Sequence, residues 1–280
     1  RYTLNSKSSI KASYTQNYQY IHITSLANQS LPTDLWFPST ELVQPQFGIQ
    51  YSLGYYRNFK DNTWEASVEG YYKEMENQVE FKDGTLPSNG VNDNVDNFLT
   101  FGSGEAYGVE FFLKKKVGKL SGWIGYSLSY TNRTFPELNN GQTYFARYDR
   151  RHDMSVVLTY ELNKNWTLGS IFVYASGNLM WLPTNIYYFE GKPVLQYGER
   201  NNYRMPDYHR WDLSATWTGP KDRKIRSSWN FSIYNVYSRL NPFFIYIDPE
   251  GDLQSGNFKN TAKMVSLFPI IPSVTYNVSF

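Results

Sequence analysis

The stretch Leu267 to Phe280 restricts the fold more than any other part of the chain. From Ser273 it alternates strictly, with Val274, Tyr276, Val278 and Phe280 on one side and Ser273, Thr275, Asn277 and Ser279 on the other. Successive side chains of a strand point to opposite faces of a sheet, so this segment reads as a strand with one apolar and one small polar face. A soluble sandwich can carry such a strand. An aromatic residue closing the apolar face fits better with a membrane barrel, whose terminal aromatic meets the lipid boundary.

The same period of two recurs along the chain. Ile10, Ala12 and Tyr14 oppose Lys11, Ser13 and Thr15; Phe47 to Tyr55, Trp64 to Tyr72, Tyr107 to Leu113, Ile124 to Tyr130, Met154 to Tyr160 and Trp211 to Trp217 repeat the pattern. The stretch Trp166 to Tyr174 is ambiguous, because Leu168, Phe172 and Tyr174 compete with Ile171 and Val173 for the apolar face. The phase of the strand at Trp229, Phe231 and Ile233 blurs after Tyr234, where a bulge is expected. Gly102-Ser103-Gly104-Glu105-Ala106-Tyr107-Gly108 reads as a turn that enters a strand, and Phe243 to Ile247 as a hairpin arm inside the last connection. About ten strands result, and their connections alternate long and short, as in outer-membrane barrels with long loops on one side and short turns on the other. Trp64, Trp166 and Trp229 open strands after short turns and Trp217 closes one before a turn. With Phe280 they are expected to form an aromatic girdle at the membrane interface. The fold class is all-β, a transmembrane antiparallel β-barrel wall.

Composition supports this reading. Mean hydropathy is −0.55, so no stretch approaches a spanning helix, yet only every second residue of a barrel strand meets lipid. Aromatic residues reach 18%, an excess suited to membrane–water boundaries, with a Tyr-rich sugar-binding β protein as the alternative. Net charge is +2, which implies no nucleic-acid partner, and the absence of cysteine excludes a disulfide scaffold or thiolate metal site. No cofactor and no metal ligand set is indicated. The chain opens Arg1-Tyr2-Thr3-Leu4 without an initiator methionine or signal segment, and is expected to be an interior fragment.

The three histidines lie near loop bases. His152, with the flanking Asp149 and Asp153 and with Ser155, can be drawn as a catalytic triad. Asp/His/Arg clusters of this kind more often tie loops together through charge-assisted hydrogen bonds, and no nucleophile elbow is present. The chain is therefore not read as an enzyme.

Several blocks in order resemble the TonB-dependent outer-membrane receptors of Bacteroidetes-type bacteria. They are Tyr144-Phe145-Ala146-Arg147-Tyr148-Asp149-Arg150-Arg151-His152-Asp153, Tyr174-Ala175-Ser176-Gly177-Asn178, Arg200 through Asp212, Trp229 through Tyr237, Pro32-Thr33-Asp34-Leu35-Trp36 and the closing Ser266 to Phe280. The resemblance implies that residues 1–280 are the C-terminal part of a barrel of about 22 strands whose plug domain and N-terminal strands lie elsewhere. It implies ligand uptake across the bacterial outer membrane, coupled to TonB through the absent N-terminal region, with a ligand-capturing lipoprotein as a further partner. Val274, Tyr276, Val278 and Phe280 resemble the insertion signal read by the barrel-assembly machinery. Loop aromatics Trp36, Phe37, Trp181, Tyr187 and Tyr188 are candidate ligand contacts. Two other functions stay open: a barrel hydrolase, and a truncated barrel held as a folding client of the assembly machinery. An open arc leaves edges unpaired in lipid, so the first strand, near Ile10 to Tyr20, is expected to pair with something outside this sequence.

Overall fold

The computed structural model describes residues 1–24, 35–83, 95–190, 192–220, 225–252 and 257–279. Its strands are β1 (Tyr2–Asn5), β2 (Ser8–Gln19), β3 (Ile21–Thr24), β4 (Leu35–Pro38), β5 (Gln46–Phe59), β6 (Trp64–Phe81), β7 (Leu99–Lys115), β8 (Leu120–Thr134), β9 (Tyr144–Phe145) and β10 (His152–Glu161). There follow β11 (Trp166–Ala175), β12 (Leu179–Met180), β13 (Pro183–Phe189), β14 (Lys192–Tyr197), β15 (Tyr203–Arg204), β16 (Tyr208–Thr218), β17 (Arg226–Tyr234), β18 (Pro242–Asp252), β19 (Asn257–Ser266) and β20 (Ile271–Ser279). One antiparallel sheet runs β1-β2-β5-β6-β7-β8-β10-β11-β16-β17-β20, with β9 added to β8. The remaining strands pair as β3–β4, β12–β15, β13–β14 and β18–β19, all within long connections. The hairpin arm expected at Phe243 to Ile247 is the longer pair β18–β19.

The two faces of the wall differ as the alternation predicts. Registers carry Trp166, Leu168, Phe172 and Tyr174 of β11 opposite Trp217, Ala215, Trp211 and His209 of β16. That settles the ambiguous strand: Ile171 and Val173 join the polar face, opposite Asp212 and Arg210. Ser170, left on the apolar face, accepts a hydrogen bond from Trp211 Nε1 (2.9 Å). On the polar face Ser13 meets Ser52, Ser232 meets Ser273, and Tyr56 donates to Glu69.

Among the described residues no dry core underlies the middle of this wall. Among the described residues, buried apolar side chains cluster around Phe37 and Leu99, Phe135 and Leu138, and Met180 and Met205, all at the long-connection end. Mid-wall apolar side chains are instead uncovered: Leu53 is 62% exposed, Phe111 50% and Val274 61%. Such a face is stable only against hydrocarbon. Tyr276 and Val278 belong to it, while Phe280 falls outside the described residues.

Two aromatic rows mark heights on this face. Trp166, Trp217, Trp229 and Tyr276 occupy directly opposed positions on four adjacent strands, with Trp229 and Tyr276 ring centroids 4.5 Å apart. Trp64 stacks on Phe59 under the Lys115 ammonium near the same edge. Toward the long connections Tyr72, Tyr107 and Tyr130 are likewise opposed, Tyr107 and Tyr130 stacking at 5.2 Å. The eight residue steps from Trp64 to Tyr72 rise about 26 Å along the strand, or about 20 Å along the normal of a tilted barrel, close to its usual apolar band.

Four details depart from the sequence reading or refine it. The first long strand does find a partner within the chain, since Tyr2, Thr3 and Asn5 pair with Ile10, Ser9 and Ser8. Four residues are too few to show alternation. The hairpin is set by a turn in which Asn5 Oδ1 accepts the Lys7 N–H (2.9 Å). From Lys11 onward that edge of β2 has no partner among the described residues, nor has the far edge of β20, and no ring closes between them. Gly102 to Gly108 lies wholly within β7 and is strand rather than turn. Gly102 leaves room on the polar face for Phe135, whose ring lies 2.6 Å from where a Cβ would stand. β17 begins at Arg226, ahead of Trp229. After Tyr234 the expected irregularity appears: Asn235 adopts φ 55° and gives its N–H to Asp212, and Val236 takes up the Trp211 carbonyl.

Gly102→Val should lower the urea midpoint in detergent micelles by the equivalent of about 1–3 kcal/mol, because the Thr134 carbonyl must shift and Phe135 be displaced from a closed cluster. An unchanged midpoint would show that Phe135 is not held there.

Candidate functional site: the long-connection end

The loop bases are fastened by one carboxylate. Asp149 is buried; its Oδ2 accepts from Arg204 Nη2 (2.6 Å) and Arg151 Nη2 (3.0 Å), and its Oδ1 from the Thr131 N–H (2.8 Å). Arg204 Nη1 also donates to the Asp149 and Gly177 carbonyls (2.5 and 2.8 Å). The Arg151 guanidinium lies over the Tyr130 and Phe145 rings at 3.7 and 4.8 Å. Gly177 is required because the Met205 carbonyl occupies the space of a Cβ. Asp207 continues the network, accepting from the Tyr174 hydroxyl (2.6 Å) and the Gly177 N–H (3.3 Å). Farther out, Arg200 bridges to Asp83 (2.7 Å) and lies over the Trp181 ring (4.8 Å), tying two long connections together. Tyr144 is buried beside it with no hydrogen-bond partner for its hydroxyl among the described residues, and burial followed by the Glu80 charge pushes that hydroxyl's pKa up.

On this frame sits a cleft of about 270 Å³ between the β8–β10 loop, the β11–β16 connection and the β18–β19 arm. Its floor is apolar, with Leu179, Met180 and Met205 buried. The rim carries Arg147, Arg150, Phe243 and Tyr148, the last 63% exposed with the Arg147 guanidinium 5.6 Å from its ring centroid. Such a lining accepts a ligand with a flat or apolar body and an anionic group. Among the described residues no cluster of His, Cys, Asp or Glu could hold a metal ion.

The five aromatics expected as ligand contacts are not gathered at this cleft. Trp36 is exposed on β4, while its neighbour Phe37 is buried against Val43, Val79, Phe81 and Leu99. Trp181 packs on Tyr197 (4.5 Å) and donates to the Gly198 carbonyl (3.2 Å). Tyr187 is exposed on β13, and the Tyr188 side chain lies outside the described ones. The cleft residues Arg147, Tyr148 and Phe243 were not singled out from sequence, although the block containing the first two was. The drawn triad is taken apart: His152 faces the apolar side, where its Nδ1 meets the Tyr126 hydroxyl (2.8 Å), and Ser155 lies on the opposite side of β10.

His22, in the β3–β4 arm, is fully buried beside Phe37, with Nε2 2.9 Å from Ser39 Oγ and Nδ1 unpartnered among the described residues. Burial holds its pKa below the ordinary 6.5. The neutral ring is the one the fold accepts. The arm's docking is therefore at full strength above the unfolded pKa and weakens as pH falls below it. Protection factors for amide exchange at Ile21–Thr24, corrected for the slower intrinsic exchange in acid, should fall as pH drops below about 6.5. PH-independent protection there would contradict this placement.

The family model for the TonB dependent receptor-like β-barrel matches residues 1–236. No curated protein is detectably similar in sequence. Among solved structures, the ferripyoverdine receptor of the outer membrane of Pseudomonas aeruginosa aligns over 99% of this chain and 31% of its own, at 16% identity and TM-score 0.60. The ferric yersiniabactin uptake receptor from Yersinia pestis aligns over 100% and 36%, at 16% identity and TM-score 0.59. An iron transporter from Neisseria meningitidis aligns over 99% and 38%, at 13% identity and TM-score 0.57. The likeness is one of fold, and the chain spans about a third of the length of each of these structures.

Proposed function

Because this chain belongs to the TonB dependent receptor-like β-barrel family, and so to the bacterial outer membrane, we propose that it supplies wall and capture loops to a receptor that imports a scarce ligand. The observation that carries the reading is the cleft itself. It is built from three long connections at one end of a wall whose other face is polar, so that a captured ligand has a wet path inward. The rim pairs two arginines with exposed rings, which favours an anionic chelate; the solved structures of similar fold are named for iron chelates or iron. Energy coupling to TonB, the plug and any ligand-capturing lipoprotein belong to parts outside residues 1–280, in a receptor of the Bacteroidetes type. The row Trp166, Trp217, Trp229 with Trp64 is the girdle at the short-turn interface. Val274, Tyr276 and Val278, on a strand whose far edge is free among the described residues, present the insertion signal to the barrel-assembly machinery.

The test is a fluorescence titration of the full-length protein with ferric chelates. Arg147→Ala combined with Tyr148→Ala should weaken binding by about tenfold or more, the loss of one charge-assisted contact and one stacking surface. Wild-type affinity in that variant would move the capture site elsewhere.

A further inference from the structure

The opposite end of the wall carries a second cavity. It measures about 350 Å³ and opens on the polar face between the β1–β2 turn and the short-turn ends of β5 and β6. Five cationic side chains line it, Arg1, Lys7, Lys11, Arg57 and Lys116, against the single carboxylate of Glu65. That is a local surplus of four positive charges in a chain whose net charge is only +2. Lys116 takes the carboxylate for itself at 2.7 Å. Lys7, Lys11 and Arg57 meet no carboxylate among the described residues.

The frame that holds these charges is ordered. Asn5 Oδ1 accepts the Lys7 N–H, the Lys7 carbonyl accepts the Asn58 N–H (2.8 Å), and Arg1 Nε donates to the buried Ser9 hydroxyl (3.2 Å). Like charges gathered on this backbone frame repel one another, and an anion between them relieves the repulsion. We propose that this cavity binds a small multivalent oxyanion, of the pyrophosphate class, at the periplasmic mouth of the lumen. Its volume suits a small molecule rather than a docked polypeptide segment. Ser9, Lys11, Tyr56 and Glu65 lie on the face turned away from lipid, where a soluble anion reaches them, while Ser8 and Arg57 bound the cavity from the opposite register. The inference rests on the polar face being the lumen and is independent of what the cleft at the other end captures.

Isothermal titration of the full-length protein with inorganic pyrophosphate at physiological salt decides it. One saturable site is expected, weakened about tenfold or more in the combined Lys7→Gln, Lys11→Gln, Arg57→Gln variant. The combined Lys119→Gln, Lys164→Gln, Arg226→Gln variant, with the same change of net charge elsewhere on that rim, should bind as wild type. Glu65→Gln should bind severalfold more tightly because Lys116 is released. No saturable binding, an equal loss in both triple variants, or binding displaced by phosphatidylglycerol but not phosphatidylcholine in nanodiscs would overturn the proposal. Heat-modifiable gel mobility reports whether each barrel is folded. If the first triple variant is not, an unchanged or weaker affinity in Glu65→Gln overturns it alone.

Discussion

Asp149→Ala should destabilise the long-connection end by about 3 kcal/mol or more, because it removes one partner of a buried ion pair and strands the others. Three groups lose their acceptor together: Arg204, Arg151 and the Thr131 N–H. Arg204 is the costly one. Its other donor nitrogen is engaged with two carbonyls, so the guanidinium cannot swing out to water without breaking those bonds as well. Arg151 is better placed to survive, since the Tyr130 ring still faces it. Asp149→Asn keeps an acceptor for Thr131 but loses the charge, and should cost roughly half as much. Limited trypsinolysis reads the difference, with cleavage at Arg200 and Arg204 accelerated most in the alanine variant. Equal resistance in wild type and Asp149→Ala would mean that the three loops are held by something other than this carboxylate.

How much of this was legible in the sequence depends on what imposes the pattern. Water on one side and hydrocarbon on the other impose a period of two, so ten long strands, their facing and the long–short rhythm of connections could be read directly from residues such as Trp211 to Trp217. Asp149 was legible as a residue type in a cluster that ties loops, though which arginines it meets was not: Arg204 reaches it only after the chain has crossed two strands of the wall, β10 and β11, and the β13–β14 hairpin. Short strands carry no period, and so β1, β3–β4 and β12–β15 were invisible. Gly102 misled because a glycine that opens a turn and one that yields space to a neighbouring ring look alike until Phe135 is placed. The aromatics of the long connections differ in placement for a related reason. Phe37 and Tyr148 are both loop aromatics by composition, yet one is sealed against Leu99 and the other stands 63% exposed at the cleft rim. Only tertiary packing separates them.

The second large effect tests the facing itself. Leu213 lies on β16 between Trp217 at one end and His209 at the other, opposite Ser170 and Ile233 on the apolar face. Leu213→Arg sets a guanidinium near the middle of the hydrocarbon, where the expected cost is about 2–4 kcal/mol. Ser214, the next residue, points the other way, opposite Gly169 and Ser232. There an arginine extends into water, and the cost of Ser214→Arg should stay within about 1 kcal/mol. The two substitutions are adjacent, introduce the same side chain and are equal in charge, so the change of net charge cancels between them. What differs is the solvent each side chain enters. A two-layer soluble protein built from these strands would reverse the order if the polar face were the buried one, and would punish Leu213→Arg by aggregation in the absence of any bilayer. Unfolding of both variants in lipid vesicles separates these cases: a deficit confined to Leu213→Arg, shrinking as the substitution is moved along the same face to Trp217, is the depth dependence that only a membrane supplies.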